Sequence, residues 1–227
     1  MTRSTPTQTS AAAPQGKRLQ IDVWGDLACP WCYIGKNRLD QAIGSSPYAE
    51  AITVKVRSFE LDPGMPAESK PNLELLRAKY GLSPTEAMGM EEKVAAIAHH
   101  EGLPYTGDRV LSNSFDVHRV LHLADTFGLA GELLGDLQRA LFSGRADVYD
   151  HIVLADHADR LGIPRSRVEA VLSGDEFADT VRADETEARE LGITGVPFTV
   201  FDGRIAVAGS TDSDGYAEAI NRAWSTE

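Results

Sequence analysis

Cys29 and Cys32 are the only two cysteines in the chain, and they stand as Cys29-Pro30-Trp31-Cys32. Two thiols so spaced can form a disulfide with each other, exchange it with a partner, or share a metal ion. Their surroundings decide between these. Upstream, Leu19, Ile21 and Val23 alternate with Gln20, Asp22 and Trp24, the pattern of a strand with one face toward the core, ending near Gly25. From Pro30 onward Cys32, Gly35, Leu39, Ala42 and Ile43 recur at helical spacing. Pro30 suits a first helical turn, where its missing N–H would have had no partner. The pair thus sits where a strand gives way to a helix. Unpaired N–H groups and the helix dipole there favour a thiolate on the first sulfur, so Cys29 is the candidate nucleophile. Cys32, one turn further in, is placed to attack a mixed disulfide on Cys29 and release the product.

The competing roles are weaker. A structural zinc site needs about four ligands, and no second Cys-x-x-Cys is present, so no metal is expected. An inert buried pair would need neither Pro30 nor the strand-helix junction. Asp26, three residues before Cys29, has two readings. It could accept a proton or tune the thiols, or it could be a helix-entry residue that binds backbone N–H groups, and the second is favoured. Trp31 either touches substrate or lies over neighbouring helices.

Gly195-Val196-Pro197 precedes a β-rich segment, Phe198 to Phe201. A proline there can be a turn, an edge device or a cis peptide. His118 and His122 are four apart on one helix, but no Glu follows His118 as the metalloprotease motif demands, and the favoured reading is a polar helix flank. His99, His100, His151 and His157 read as ordinary helix residues. Gly81 to Gly89 lacks the Lys and Ser/Thr of a phosphate-binding loop, so no nucleotide cofactor is indicated.

The 227 residues carry 22 Lys plus Arg against 34 Asp plus Glu, a formal charge of −12. That acidity, without any Lys/Arg-rich tract, argues against nucleic-acid binding. A hydrophobic content of 42% with 25% charged residues is enough for a sizeable core without staples. Residues 1–18 read as a disordered tail with no apolar run to serve as a secretory signal, and no 18-residue apolar segment follows. A cytoplasmic protein is expected, with no membrane partner. Thiols are normally reduced in that compartment, which favours a catalytic pair over a structural bridge.

The elements that must position the site follow from periodicity. Ile52, Val54 and Val56 alternate with Thr53, Lys55 and Arg57, predicting a second strand before the Asp62-Pro63-Gly64 exit. The middle of the chain shows no strand and reads as short helices: Leu73–Tyr80, Thr85–His99, Val117–Phe127, Glu132–Leu141, Ile152–Leu161 and Arg165–Leu172. A further helix spans Phe177 to Leu191. Phe198–Phe201 and Arg204–Val207 flank Asp202-Gly203, a dipeptide suited to a type I′ hairpin turn, and a last helix covers Tyr216 to Trp224. Neither end can bury both faces of its own sheet, so one sheet assembled from both ends is expected. The predicted class is α/β, with residues 19–68 and 175–227 forming one discontinuous domain and residues 69–174 an all-helical insertion.

Cys29-Pro30-Trp31-Cys32-Tyr33, the helical insertion, and Gly195-Val196-Pro197-Phe198 ahead of a Phe-Asp-Gly hairpin together resemble the DsbA family of thioredoxin-fold oxidoreductases. The chain is most similar to the cytoplasmic FrnE-like branch, related to kappa-class glutathione transferases and 2-hydroxychromene-2-carboxylate isomerases. Phe59, Leu61 and Pro63 match a Phe-x-Leu-x-Pro of that branch. The resemblance covers about Leu19 to Trp224. It implies a thioredoxin fold, with Cys29 attacking, Cys32 resolving and Pro197 the cis-proline facing them. It further implies that the Val196 backbone pairs with an extended substrate segment, and that Asn113 and His118 belong to a polar cluster lining the substrate cleft. The isomerase and kappa-class relatives carry serine at the position of Cys29, so the cysteine pair favours redox chemistry.

The expected activity is thiol-disulfide exchange with a protein or small-molecule partner, serving polyketide or other secondary metabolism or cytosolic redox defence. Two alternatives stand beside it: a glutathione-dependent isomerase or transferase on an aromatic small molecule, and a peptide-binding, chaperone-like module. Glutathione as co-substrate is left open. A homodimer is compatible with the apolar insertion but nothing in the sequence requires one.

Overall fold

The computed structural model describes residues 16–226. Residues 1–15 of the expected tail lie outside the described residues, and Lys17, near its end, donates to the Trp224 carbonyl at 2.6 Å. The chain runs β1 (Leu19–Gly25), α1 (Pro30–Ser45), β2 (Ile52–Ser58), β3 (Lys70–Pro71), α2 (Asn72–Tyr80), α3 (Pro84–His100), β4 (Val110–Leu111) and α4 (Phe115–Asp125). It continues through α5 (Ala130–Phe142), α6 (His151–Arg160), α7 (Arg165–Ser173), α8 (Ala178–Glu190), β5 (Phe198–Phe201), β6 (Ile205–Ala208) and α9 (Ser213–Ser225).

One sheet, ordered β2-β1-β5-β6, is built from both ends of the chain. β1 and β2 pair in parallel, as a strand-helix-strand unit requires, and β5 joins β1 antiparallel with Trp24 opposite Phe198. The β5–β6 hairpin turns through Asp202 (φ 52°) and Gly203 (φ 65°), the two positive φ values of the turn predicted there. This is the thioredoxin fold with a helical insertion that the resemblance implies.

Two features depart from the sequence reading. β1 was expected to bury one face, yet Asp22 and Trp24 on the other face are buried too. β1 is an inner strand, so helices cover both sides, and Trp24 packs against Ala188 and Ile193 with its Nε1 donating to the Asp184 carbonyl at 3.1 Å. The middle of the chain also contains β3 and β4, which pair through Lys70–Leu111 and Pro71–Val110. Two-residue strands carry no periodicity, which is why the sequence pattern does not show them. Three helical stripes are also shorter than their patterns: Ile152 at the start of one and Phe127 and Leu191 at the ends of two others are exposed.

Helix α1 belongs to two cores at once. Leu39 and Ala42 pack with Leu19, Ile21, Phe201 and Ile220 against the sheet. Tyr33 and Ile34 pack instead among the insertion helices, with the Tyr33 ring stacked on Phe142 at 4.8 Å. Each fully buried side chain of this size contributes about 1.5–3 kcal/mol. The helix that starts at the cysteines is therefore held from both sides, and its N-terminus lies at the seam between sheet and insertion.

Candidate active site

After β1 ends, Asp26 Oδ1 accepts the Ala28 N–H at 3.2 Å and the Cys29 N–H donates to the Asp26 carbonyl at 3.2 Å. That turn delivers Cys29 as the N-cap of α1, with Pro30 inside the first turn. Its Sγ accepts the Cys32 N–H at 3.4 Å, and its thiol lies 3.5 Å from the Val196 carbonyl. Gly25 keeps room for the second sulfur, since a Cβ there would stand 3.3 Å from Cys32 Sγ. The Val196–Pro197 peptide is cis, and Pro197 packs on Gly35 of α1, where a Cβ would meet its Cγ at 3.2 Å. Cys29, Cys32, Val196 and Pro197 are thus brought together from segments 165 residues apart.

The two thiols are held in opposite electrostatic states. The Cys32 thiol, hydrogen-bonded to the Cys29 sulfur, lowers the Cys29 pKa and outweighs the opposing effect of burial. The Cys32 thiol is pushed well above the ordinary range, first by burial and then by the neighbouring Cys29. The Asp26 carboxylate raises both.

Asp26 makes the backbone contacts of a helix-entry residue, and its charge also reaches the thiols. It is buried, it binds the backbone N–H groups of Ala28 and Leu61, and it stands beside both thiols. Burial works to raise its pKa, but the His118 ring and those two N–H groups prevail and lower it. His118 Nε2 lies 3.7 Å from Asp26 Oδ1, an ion-pair distance rather than a hydrogen bond.

The polar-flank reading of His118 and His122 is corrected. Both are buried because α4 is covered by insertion helices on one side and by β2 and α8 on the other. His122 Nε2 faces Ser58 Oγ at 3.0 Å and Asp184 Oδ2 at 3.2 Å. The two rings serve different partners, and no cluster of three or more metal-ligating residues occurs among the described residues.

A cleft of about 740 Å³ opens beside Cys29, with Trp31, Gly195 and Val196 at its cysteine end and Leu76, Met90 and Leu111 on its insertion wall. Trp31 lines it at 40% exposure. Asn113 and His118 stand behind the wall instead. Asn113 donates to Glu60 Oε1 at 3.2 Å and caps the Phe115 N–H at 2.9 Å. Sequence reasoning missed the Glu91–Arg109 ion pair, buried at 2.6 Å and lining the cleft, and Lys79, a cation of the same wall. Amphipathic spacing in α2 and α3 was the available signal for the apolar wall. No local signal marks Arg109.

The sequence matches the model of the DSBA-like thioredoxin domain over residues 20–221. It is 40% identical to a probable DsbA oxidoreductase from Streptomyces coelicolor, whose crystal structure superposes with a TM-score of 0.87 over 92% of each chain. Two more distant structures share the fold. The cytosolic disulfide reductase DsbM from Pseudomonas aeruginosa is 19% identical, with a TM-score of 0.59 over 90% of this chain and 95% of that one. A 2-hydroxychromene-2-carboxylate isomerase is 16% identical, with a TM-score of 0.65 over 89% and 95%.

Proposed function

Because this chain belongs to the DSBA-like thioredoxin-domain family, we propose that it is a thiol-disulfide oxidoreductase working through Cys29 and Cys32. The observation that carries this reading is the asymmetry of the two sulfurs. Cys29 caps a helix, has a lowered pKa and borders the cleft, whereas Cys32 is sealed behind it and held as a thiol. In the reductive direction the Cys29 thiolate attacks a substrate disulfide and one substrate sulfur leaves as a thiol. Cys32 then loses its proton and attacks Cys29 Sγ. The second substrate thiol departs, and the Cys29–Cys32 disulfide holds the two electrons' worth of oxidation. Run backwards, the same steps oxidise a dithiol.

Resemblance to the FrnE-like branch supports a cytoplasmic setting, with secondary-metabolite biosynthesis, polyketide chemistry included, or redox defence as the role. No helix among the described residues is long and apolar enough to cross a membrane. The purified protein should show a dithiol that titrates reversibly against glutathione and should catalyse insulin reduction or thiol oxidation. Retention of that activity by Cys29→Ser would refute the mechanism.

The cleft supports a second reading. About 740 Å³ lies within the size of small-molecule sites, and the fold is shared with an isomerase of an aromatic compound. A glutathione-dependent isomerase or transferase would bind glutathione saturably and keep its activity in Cys32→Ser. Calorimetry that detects no glutathione binding would rule this reading out.

A further inference from the structure

Two cavities flank the cysteine pair, and each sees one sulfur. The large cleft is bordered by Cys29 and not by Cys32. On the other side of α1 lies a chamber of about 80 Å³ bordered by Cys32 and not by Cys29, and Asp26 borders both. The chamber is closed by α5 of the insertion, which contributes Gln138, and by Thr199 of β5 and Tyr216 of α9.

Gln138 is fully buried, yet neither its Oε1 nor its Nε2 has a hydrogen-bond partner among the described residues. Thr199 Oγ1, also buried on the chamber wall, approaches the Tyr216 hydroxyl but makes no well-formed hydrogen bond among the described residues. Buried amides without partners carry their full desolvation penalty, and native structures avoid this by binding water. Much of the chamber wall is apolar, but Asp26, Gln138, Thr199 and Tyr216 also line it, and its volume has room for a few water molecules beside them. It runs past Lys36 and Asp40, a pair 2.6 Å apart whose side chains reach solvent.

We propose that this chamber is the proton exit of Cys32: water held by Gln138 and Thr199 carries the proton from Cys32 Sγ to the Lys36–Asp40 mouth while the substrate fills the opposite cleft. The inference rests on the exchange reading of the two cysteines. In the resolving step the Cys32 S–H bond breaks and its proton passes to chamber water. The resulting thiolate forms the bond to Cys29 Sγ, and the Cys29–substrate S–S bond breaks to release the substrate sulfur as a thiolate that takes a proton from solvent. The substrate disulfide is the oxidant, so no other electron acceptor is required.

The charged and titratable groups around Cys32 are Cys29, Lys36 and Asp40 of α1, Asp26 ahead of it with His118 of α4 behind, and Tyr216 of α9. Asp26 is a fixed negative charge beside the path, not the acceptor, because its surroundings favour the carboxylate. Gln138 is a positioning residue, acting on Cys32 through the water it holds.

Ellman's reagent separates the steps without knowledge of the natural substrate. Attack by Cys29 releases one thionitrobenzoate and leaves a second on Cys29, and Cys32 releases that one. In Gln138→Leu, similar in volume but without polar atoms, the first release should be unchanged. The second should slow by roughly a hundredfold, the lower end for proton-transfer assistance, with its pH profile moved to the alkaline side and the mixed disulfide accumulating. Thr199→Val should do the same and Thr199→Ser should recover the wild-type rate, which decides the matter even if Gln138→Leu does not fold. A second release with normal rate and pH profile in these variants overturns the proposal. Failure of the first release in the wild-type protein would instead refute the oxidoreductase reading on which it rests.

Discussion

Asp26 Oδ2 accepts the backbone N–H of Leu61 at 2.7 Å, so the residue three before Cys29 also fastens the loop that leaves β2 and borders the cleft. One carboxylate thereby couples the charge around the thiols to the shape of the substrate wall.

Asp26→Asn separates these two duties. The amide oxygen can still accept the Leu61 N–H, but the negative charge that raises both thiols is gone. Cys29 should then form its thiolate at lower pH. Its alkylation by iodoacetamide should be faster than wild type on the acid side of neutrality and equal to it well above the thiol range. An alkylation profile unmoved or moved to higher pH contradicts the electrostatic assignment.

Trp31→Ala removes an exposed side chain that lines the cleft next to Cys29. Stability should change by no more than about 0.5 kcal/mol. The loss should appear as a several-fold rise in KM with kcat little changed, the signature of binding that ground and transition states share. Thermal unfolding and steady-state kinetics on a disulfide substrate check both halves.

Gly35→Ala sets two magnitudes against each other. Alanine in a helix interior gains about 1 kcal/mol over glycine. Here its Cβ would stand 3.2 Å from Pro197 Cγ and 3.3 Å from both Ser210 Oγ and the Tyr216 hydroxyl. Overpacking of this kind costs about 1–3 kcal/mol. We expect net destabilisation in denaturant unfolding and slower exchange, because the contact displaced is the one that holds Pro197 against the cysteine helix.

Asp184 carries the acid sensitivity. It accepts the Ser58 N–H at 2.9 Å, pairs with Arg57 at 2.9 Å and faces His122 at 3.2 Å, tying α8 and α4 to the end of β2. Burial opposes its ionisation, but His122, the Ser58 N–H and Arg57 outweigh it and lower the pKa. A carboxyl group with a folded pKa below its unfolded one contributes stability that is fully present above about pH 4 and lost as pH falls through the folded value. Asp184→Ala should cost about 3 kcal/mol at neutral pH, a fall in Tm of roughly 6–12 °C. It should also flatten the loss of stability on acidification. An unchanged acid limb in melting curves between neutrality and pH 3 would show that another carboxylate controls it.

Much of the site was legible in the chain because it is local. The order of Cys29 and Cys32, Pro30 in the first turn and the positive-φ pair Asp202-Gly203 each follow from residues within a few positions of one another. The helices of the insertion show themselves by period, apart from the ends where Phe127, Ile152 and Leu191 turn to solvent. His118 was not legible: a histidine flanking an apolar stripe is exposed or buried according to what packs on α4, and nothing within α4 says that Asp26 comes to meet it.

The sequence by itself determined the fold class and the placing of Cys29 and Cys32 at a strand-helix junction, since periodicity, turn chemistry and helix-end electrostatics act within one or two elements. Only the tertiary structure decided which space each sulfur faces. It set Cys29 on the cleft and Cys32 on a rear chamber, and it buried Gln138 of α5 there with its amide unpaired. Those outcomes depend on α1 being gripped by the sheet core on one side and the insertion core on the other. Burial of a polar group is a property of the neighbours that arrive from elsewhere in the chain, and a glutamine in a helical stretch reads the same whether or not they come.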